Sequence, residues 1–351
     1  MLKLIYAPGD GIGPEIGETA LEILKFQLEK YNVKYEIIPI LFGGVSIDAY
    51  GVPLTSDNLD LIMDSDAVLL GSVGGPKWDK VPAAVRPEKG LLQLRKECGA
   101  YANYRPAKIY EQLKNASPLK ESITEQGVDI MIVRELSGGI YFGERSEGNN
   151  SAYDTEYYSR PEIERIVKAG FECAMKRKRK LCLVDKANVL ASSRLWRKIF
   201  SEIALTYPEV ETSSMYVDNA AMQLSSAPYK FDTIVTSNLF GDILSDEAAV
   251  ITGSIGMLPS ASIGDVDIFE PIHGSAPDIA GKNIANPIGM ILSAAMLFRY
   301  ELDMPKPADE IESAVDSVLN KGLRTADIFD SADQKKVSTT DMGKAILNEL
   351  R

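Results

Sequence analysis

Strand and helix periodicities alternate along most of this chain, and no other feature narrows its fold as much. Leu2–Ala7 has the apolar character of a buried strand. Pro14 then sits where the first turn of a helix tolerates proline, and helical spacing continues over Glu15–Glu29. Further strands are expected at Tyr35–Ile40, Ala67–Leu70, Asp129–Arg134, Lys180–Val184, Ser214–Val217 and Thr233–Thr236. Helices are expected between them at Leu91–Glu97, Glu162–Arg177, Arg194–Leu205, Asn219–Leu224 and Asp242–Thr252. Such alternation implies an α/β architecture with much parallel sheet. At 351 residues the chain exceeds one small core and fits two domains or one large α/β unit. Ser137–Ser159 departs from the alternation: glycines are interleaved with Tyr141, Phe142, Tyr153, Tyr157 and Tyr158, which reads as a β-hairpin or arm. Exposed aromatics on an arm suit contact with another subunit, and a flap folded over its own domain remains the alternative.

Charge and cysteine content limit the function. The formal charge of −12 excludes a sequence-independent nucleic-acid binder, because neutralising phosphates needs a basic face. Any anion site must therefore be a local basic cluster or a metal. Cys98, Cys173 and Cys182 are odd in number, widely spaced and outside any CxxC pattern, as expected for reduced, buried thiols. The longest apolar run, Ile288–Phe298, falls far short of the ~20 residues of a membrane span. With a strand starting at Lys3 and no such span, a cytoplasmic protein without a leader is expected.

Several motifs carry chemical potential. Gly9-Asp10-Gly11-Ile12-Gly13-Pro14 follows a strand and opens a helix, but its third glycine comes one residue too early for the dinucleotide fingerprint. No acid ends the next strand to hold a ribose, so the turn is read as structural or as one wall of a site. Asp242 and Asp246, four apart, share one face of a helix, and Asp218 follows a strand. Three such acids suit Mg²⁺; complementing a helix dipole is the competing reading. Arg95, Arg105 and Arg134 lie in apolar surroundings and need anionic partners, either a dicarboxylate ligand or structural acids. Lys186 ends an apolar strand, where it is either an exposed lysine or a base beside a divalent cation. The single histidine, His273, excludes a histidine-rich metal site and opens a Gly- and Pro-rich loop to Pro287 that is shaped to cradle a ligand.

Taken in order, these segments resemble the metal-dependent β-decarboxylating dehydrogenases, the isocitrate/isopropylmalate dehydrogenase family. The most specific stretches are Val133-Arg134-Glu135-Leu136-Ser137-Gly138-Gly139-Ile140-Tyr141, Asp185-Lys186-Ala187-Asn188-Val189, Asn238-Leu239-Phe240-Gly241-Asp242-Ile243-Leu244-Ser245-Asp246 and His273-Gly274-Ser275-Ala276-Pro277-Asp278-Ile279. The resemblance implies a two-domain fold that is not a Rossmann fold, with mixed sheets flanked by helices, a cleft between domains and a β-arm for dimerisation. Residues 1–100 and 253–351 would form the first domain, and 101–252 the second.

The resemblance also implies roles. Arg95, Arg105 and Arg134 would hold the malate carboxylates; Asp218, Asp242 and Asp246 would bind one Mg²⁺ or Mn²⁺. Lys186 would be the base and Tyr141 the general acid, with Lys186 and Asp218 reaching across a homodimer interface. Glu88, Leu91 and Leu92, with Val189 from the other subunit, would shape an apolar pocket that suits an isopropyl group and rejects the extra carboxylate of isocitrate. Gly75, Glu88, Asn188, His273, Gly274, Ser275, Ala276, Asp278, Ile279 and Asn286 would bind NAD, with Asp278 accepting from the ribose hydroxyls and repelling a 2′-phosphate. The expected reaction is NAD-dependent oxidative decarboxylation of 3-isopropylmalate in leucine biosynthesis. The same chemistry on D-malate, tartrate, 3-methylmalate or homoisocitrate is the alternative. A phosphohydrolase built on the Asp242/Asp246 pair would need phosphate-binding glycines or a nucleophile beside it, and neither is present.

Overall fold

The computed structural model describes residues 1–351, which divide into two compact units, Met1–Ala100 with Ser254–Arg351 and Tyr101–Gly253. The first unit begins with β1 (Leu2–Gly9), α1 (Gly13–Lys30), β2 (Tyr35–Pro39), α2 (Gly44–Tyr50), α3 (Ser56–Met63), β3 (Ala67–Ser72) and α4 (Pro87–Glu97). β1 pairs in parallel with β2 on one side and β3 on the other. Every residue of β3 is buried, the mark of a parallel strand covered on both faces.

The second unit contains β4 (Ala102–Lys108), α5 (Glu121–Thr124), β5 (Asp129–Glu135), β6 (Arg145–Glu147), β7 (Ala152–Asp154), α6 (Arg160–Met175), β8 (Lys180–Asp185), α7 (Ala191–Ala204), β9 (Glu211–Tyr216), α8 (Val217–Ser226), β10 (Thr233–Thr236) and α9 (Asn238–Ile251). Its strands run in the order β4-β5-β10-β8-β9, parallel except for the β4–β5 pair. β6 and β7 form a separate exposed hairpin inside the aromatic stretch 137–159. α8 and α9 supply Leu224, Leu244 and Ala248 to a core that includes Ile132, Val184 and Ile234 from three strands.

The chain then completes the first unit with β11 (Pro259–Ile263), β12 (Asp267–Pro271), α10 (Ile288–Met296), α11 (Pro305–Asn320), β13 (Leu323–Arg324), β14 (Lys335–Lys336) and α12 (Thr339–Leu350). Here the order is β2-β1-β3-β12-β11, with β12 parallel to β3 and antiparallel to β11. α10 is buried along its whole length, so its apolar run is a core helix. All three cysteines are free and buried, and no helix is long and apolar enough to cross a membrane.

One boundary differs from expectation in a way that matters. The strand expected to reach Val217 stops at Tyr216, and α8 starts at once, so Asp218 stands in the first turn of a helix. The β-branched Val217 favours a strand locally, but β9 has no partner on its outer side to prolong the ladder.

Candidate active site

In the second unit, β4, β5 and α9 bring two arginines and two aspartates together. Arg134, near the end of β5, is only 6% exposed. A guanidinium so buried needs partners, because a lone desolvated charge costs several kcal/mol. Asn238 Oδ1 accepts from its Nε at 3.2 Å and its Nη2 at 2.9 Å, while Asp242 Oδ1 accepts from Nη1. Gly241 makes room for this side chain: a Cβ there would lie 2.5 Å from Arg134 Cγ. Arg105, on β4, donates to Asn103 at 2.7 Å, Ser245 at 3.2 Å and Asp246 at 3.3 Å.

Tyr141 joins the same cluster from the short turn Gly139–Tyr141. Its hydroxyl donates to Asp242 Oδ2 at 2.6 Å, and the Arg134 guanidinium lies 5.7 Å from its ring centre. Partial burial raises the phenol pKa and the bond to Asp242 raises it further, so the group holds its proton at neutral pH. The turn is fixed by buried Glu135, which accepts from Ser137 N at 2.6 Å and Gly138 N at 2.9 Å. Gly139 adopts a φ of 75°, and a Cβ on it would meet the Tyr158 hydroxyl at 2.5 Å.

Lys186 follows β8, and its Nζ is paired with Asp218 Oδ1. The hydrogen bond from Lys186 holds the Asp218 carboxyl below its ordinary range. Asp185 is buried and shapes this corner: it accepts from Ala187 N at 2.9 Å and from Arg197 at 2.6 and 3.1 Å. Asn188 and Val189, next along the chain, are exposed. Asp242 and Asp246 lie one helical turn apart, but within the single chain no three acids, histidines or cysteines converge as a metal-holding group. The donor set itself suits a hard divalent cation: it is all oxygen, with neither thiolate nor imidazole.

In the first unit, Arg95 on α4 pairs with Glu270 of β12 at 2.7 Å, an internal acid of the kind the sequence left open. On the same helix Leu91 packs partly against the core, Leu92 and Glu88 are exposed, and Glu88 stands over Gly74. The Gly9–Pro14 turn is a hub for the loops around it. Asp10, 1% exposed, accepts from Gly44 N, Val45 N and Gly74 N at 2.8 Å each, while Ile12 N donates to Ser275 O at 2.8 Å. Gly75 beside it has a φ of 151°.

The hub thus joins the loop carrying Gly75 to the loop carrying His273, Gly274, Ser275, Ala276, Asp278 and Ile279. Gly274 and Asp278 are exposed, Ser275 is buried, and His273, Ala276 and Ile279 lie between. Burial lowers the His273 pKa, so its ring is neutral at pH 7, and its Nδ1 lies 2.9 Å from Gly274 O. Asn286 is buried and engaged: Oδ1 accepts from Ile288 N at 3.0 Å and Nδ2 donates to Asp327 at 3.0 Å.

A model of the family described as isocitrate/isopropylmalate dehydrogenase matches residues 3–346. The chain belongs to the isocitrate/isopropylmalate dehydrogenase family. It is 55% identical to a 3-isopropylmalate dehydrogenase of Clostridium acetobutylicum over 354 aligned positions, covering 99% of each chain. It is likewise 55% identical to one from Pseudomonas savastanoi, again over 99% of both. Among solved structures, a β-decarboxylating dehydrogenase of Thermococcus kodakarensis superposes with a TM-score of 0.84 at 36% identity, covering 100% of this chain and 96% of that one. An isocitrate dehydrogenase of Methylococcus capsulatus gives 0.82 at 34% identity, over 100% of both.

For this dehydrogenase chain, sequence reasoning missed the residues that hold the candidate groups in place. Asn238, Glu135, Asp185 and Asp10 each act on a partner from another element or across a turn, and Asn103 acts on Arg105 two residues along the same strand. Asp10, Glu135, Asp185 and Asn238 all stood in conspicuous motifs, but nothing in those motifs showed which groups they would hold.

Proposed function

We propose that this enzyme carries out the oxidative decarboxylation of 3-isopropylmalate to 4-methyl-2-oxopentanoate and CO₂ with reduction of NAD⁺, a step of leucine biosynthesis. The observation that carries the reading is the cluster of Arg105, Arg134, Tyr141, Asp242 and Asp246, which combines carboxylate-binding cations, hard-cation ligands and a protonated phenol. It is supported by the 55% identity to curated 3-isopropylmalate dehydrogenases.

In this reading Arg95, Arg105 and Arg134 bind the two carboxylates of the substrate. Asp242 and Asp246, with Asp218 of a second copy, hold the divalent cation, Mg²⁺ or Mn²⁺. A bound cation supplies Lewis acidity at the C2 oxygen, and NAD⁺ supplies the hydride acceptor. Lys186 accepts the proton of the C2 hydroxyl. When the carboxylate has left C3 as CO₂, Tyr141 delivers a proton to that carbon. Leu91 and Leu92, with Val189 of the second copy, receive the isopropyl group. His273–Ile279, Gly75, Glu88, Asn188 and Asn286 serve the nucleotide, and Asp278 favours NAD⁺ over NADP⁺.

The working unit is a homodimer. Exposed Met222 on α8, Ile243 and Val250 on α9, and Phe142, Tyr153 and Tyr157 of the arm give the second unit apolar surface for a second copy to cover. Separation of Asp218 from any three-acid group in one chain fits delivery of Asp218 and Lys186 across that interface.

The test is NADH formation by the purified enzyme from 3-isopropylmalate and NAD⁺. EDTA is expected to abolish it and excess Mn²⁺ or Mg²⁺ to restore it. Full activity after exhaustive chelation would overturn the metal assignment.

A further inference from the structure

Arg134 and the turn carrying Tyr141 meet at one side chain with no role in binding or proton transfer. We propose that Asn238 is a positioning residue that holds the Arg134 guanidinium and the Gly138–Tyr141 turn together, independently of Asp242. The inference rests on the function proposed above for Arg134 and Tyr141.

Asn238 is 2% exposed and opens α9. Its amide has two ends, and each is committed. Oδ1 accepts two N–H groups of Arg134, at 3.2 and 2.9 Å, and Nδ2 donates to Gly138 O at 3.2 Å. Its backbone N–H donates to the Tyr158 hydroxyl at 3.0 Å, so the residue is itself fixed. Asp242, one turn further along the helix, also touches Arg134 and Tyr141. Unlike Asp242, Asn238 carries no charge and is not a candidate cation ligand. Were Asp242 to hold a cation, its own hold on both groups would weaken, whereas the bonds from Asn238 do not involve Asp242. Glu135 and Glu156 bind the turn through its N–H groups, and Asn238 binds it through a carbonyl.

The geometry separates two functions that substitution can divide. Asn238→Asp keeps an acceptor for Arg134 but sets a carboxylate oxygen against Gly138 O, releasing the turn alone. Asn238→Ala releases both. For Asn238→Asp, kcat is expected to fall about tenfold or more, with KM for 3-isopropylmalate within about twofold of the parent. For Asn238→Ala, KM is expected to rise about tenfold as well, since a hydrogen bond to a charged group is lost.

Hydrogen–deuterium exchange of residues 137–143, read well below the melting temperature, reports the turn without turnover. Faster exchange there in both variants, with the core of β5 unchanged, supports the proposal. Identical changes in kcat and KM in the two variants, or exchange equal to the parent, would overturn it. If Asn238→Ala does not fold, Asn238→Ser takes its place in the comparison. An inactive parent counts against the proposed function and leaves the exchange result to decide the role of Asn238.

Discussion

Tyr141→Phe is expected to lower kcat by roughly 10²–10⁴, the usual worth of one positioned proton donor. The substitution removes a single oxygen. That oxygen donates to Asp242 Oδ2 at 2.6 Å, and its pKa is raised first by burial and then by the same carboxylate. A phenol in that state keeps its proton until a stronger base, such as an enolate carbon, arrives. Little structural cost is expected. Tyr141 is 42% exposed, and Arg134 stays paired with Asp242 and Asn238 after the change. The stability change should stay within about 1 kcal/mol, as for most partly exposed substitutions. Steady-state kinetics beside a thermal melt checks both halves, and a kcat within tenfold of the parent would remove Tyr141 from proton transfer.

Lys186→Met is expected to have an effect of the same order, roughly 10²–10⁴ in kcat, because in the proposed mechanism it removes the base while keeping an unbranched side chain only one atom shorter. Lys186 follows a strand whose end is fixed from behind by Asp185, so the backbone has no reason to move. The change does leave Asp218 without its ion-pair partner. That carboxylate is exposed, and exposed pairs contribute little to stability. NADH affinity, measured by fluorescence titration, should be unchanged, which separates lost chemistry from lost folding. Near-parental turnover would reassign Lys186 to an ordinary surface ion pair with Asp218.

The fold was largely legible because buried parallel strands are written locally. Ile130–Val133 and Leu181–Val184 are continuous apolar runs, and the strands expected around them, Asp129–Arg134 and Lys180–Val184, formed within a residue of expectation. β11 was not legible: Pro259-Ser260-Ala261-Ser262-Ile263 alternates, but with small residues and a proline, and only Ile263 is a strong strand former. It is a strand because β12 pairs with it, a tertiary cause that no local window contains. β4 was only half legible, since Arg105 and Pro106 interrupt it.

The site divides in the same way. The four-residue spacing of Asp242 and Asp246 announces a shared helix face, and the structure places both beside arginines. The pairing itself was invisible, because Arg134 and Asp242 are 108 positions apart and meet only when α9 packs on β5. Asp10 was conspicuous in its glycine turn, yet its work of collecting three amides from residues 44, 45 and 74 could not be read from that turn.

The most direct test of the account compares three substrates in one assay: NADH formation at 340 nm with NAD⁺ and Mn²⁺, using 3-isopropylmalate, D-malate or isocitrate. The account predicts a strong preference for 3-isopropylmalate, because burying the carboxylate of isocitrate against leucines costs far more than the ~1–3 kcal/mol at stake in one methylene. A higher kcat/KM with isocitrate or D-malate would contradict it, and would overturn the reading of Leu91, Leu92 and Val189 as the pocket for the isopropyl group.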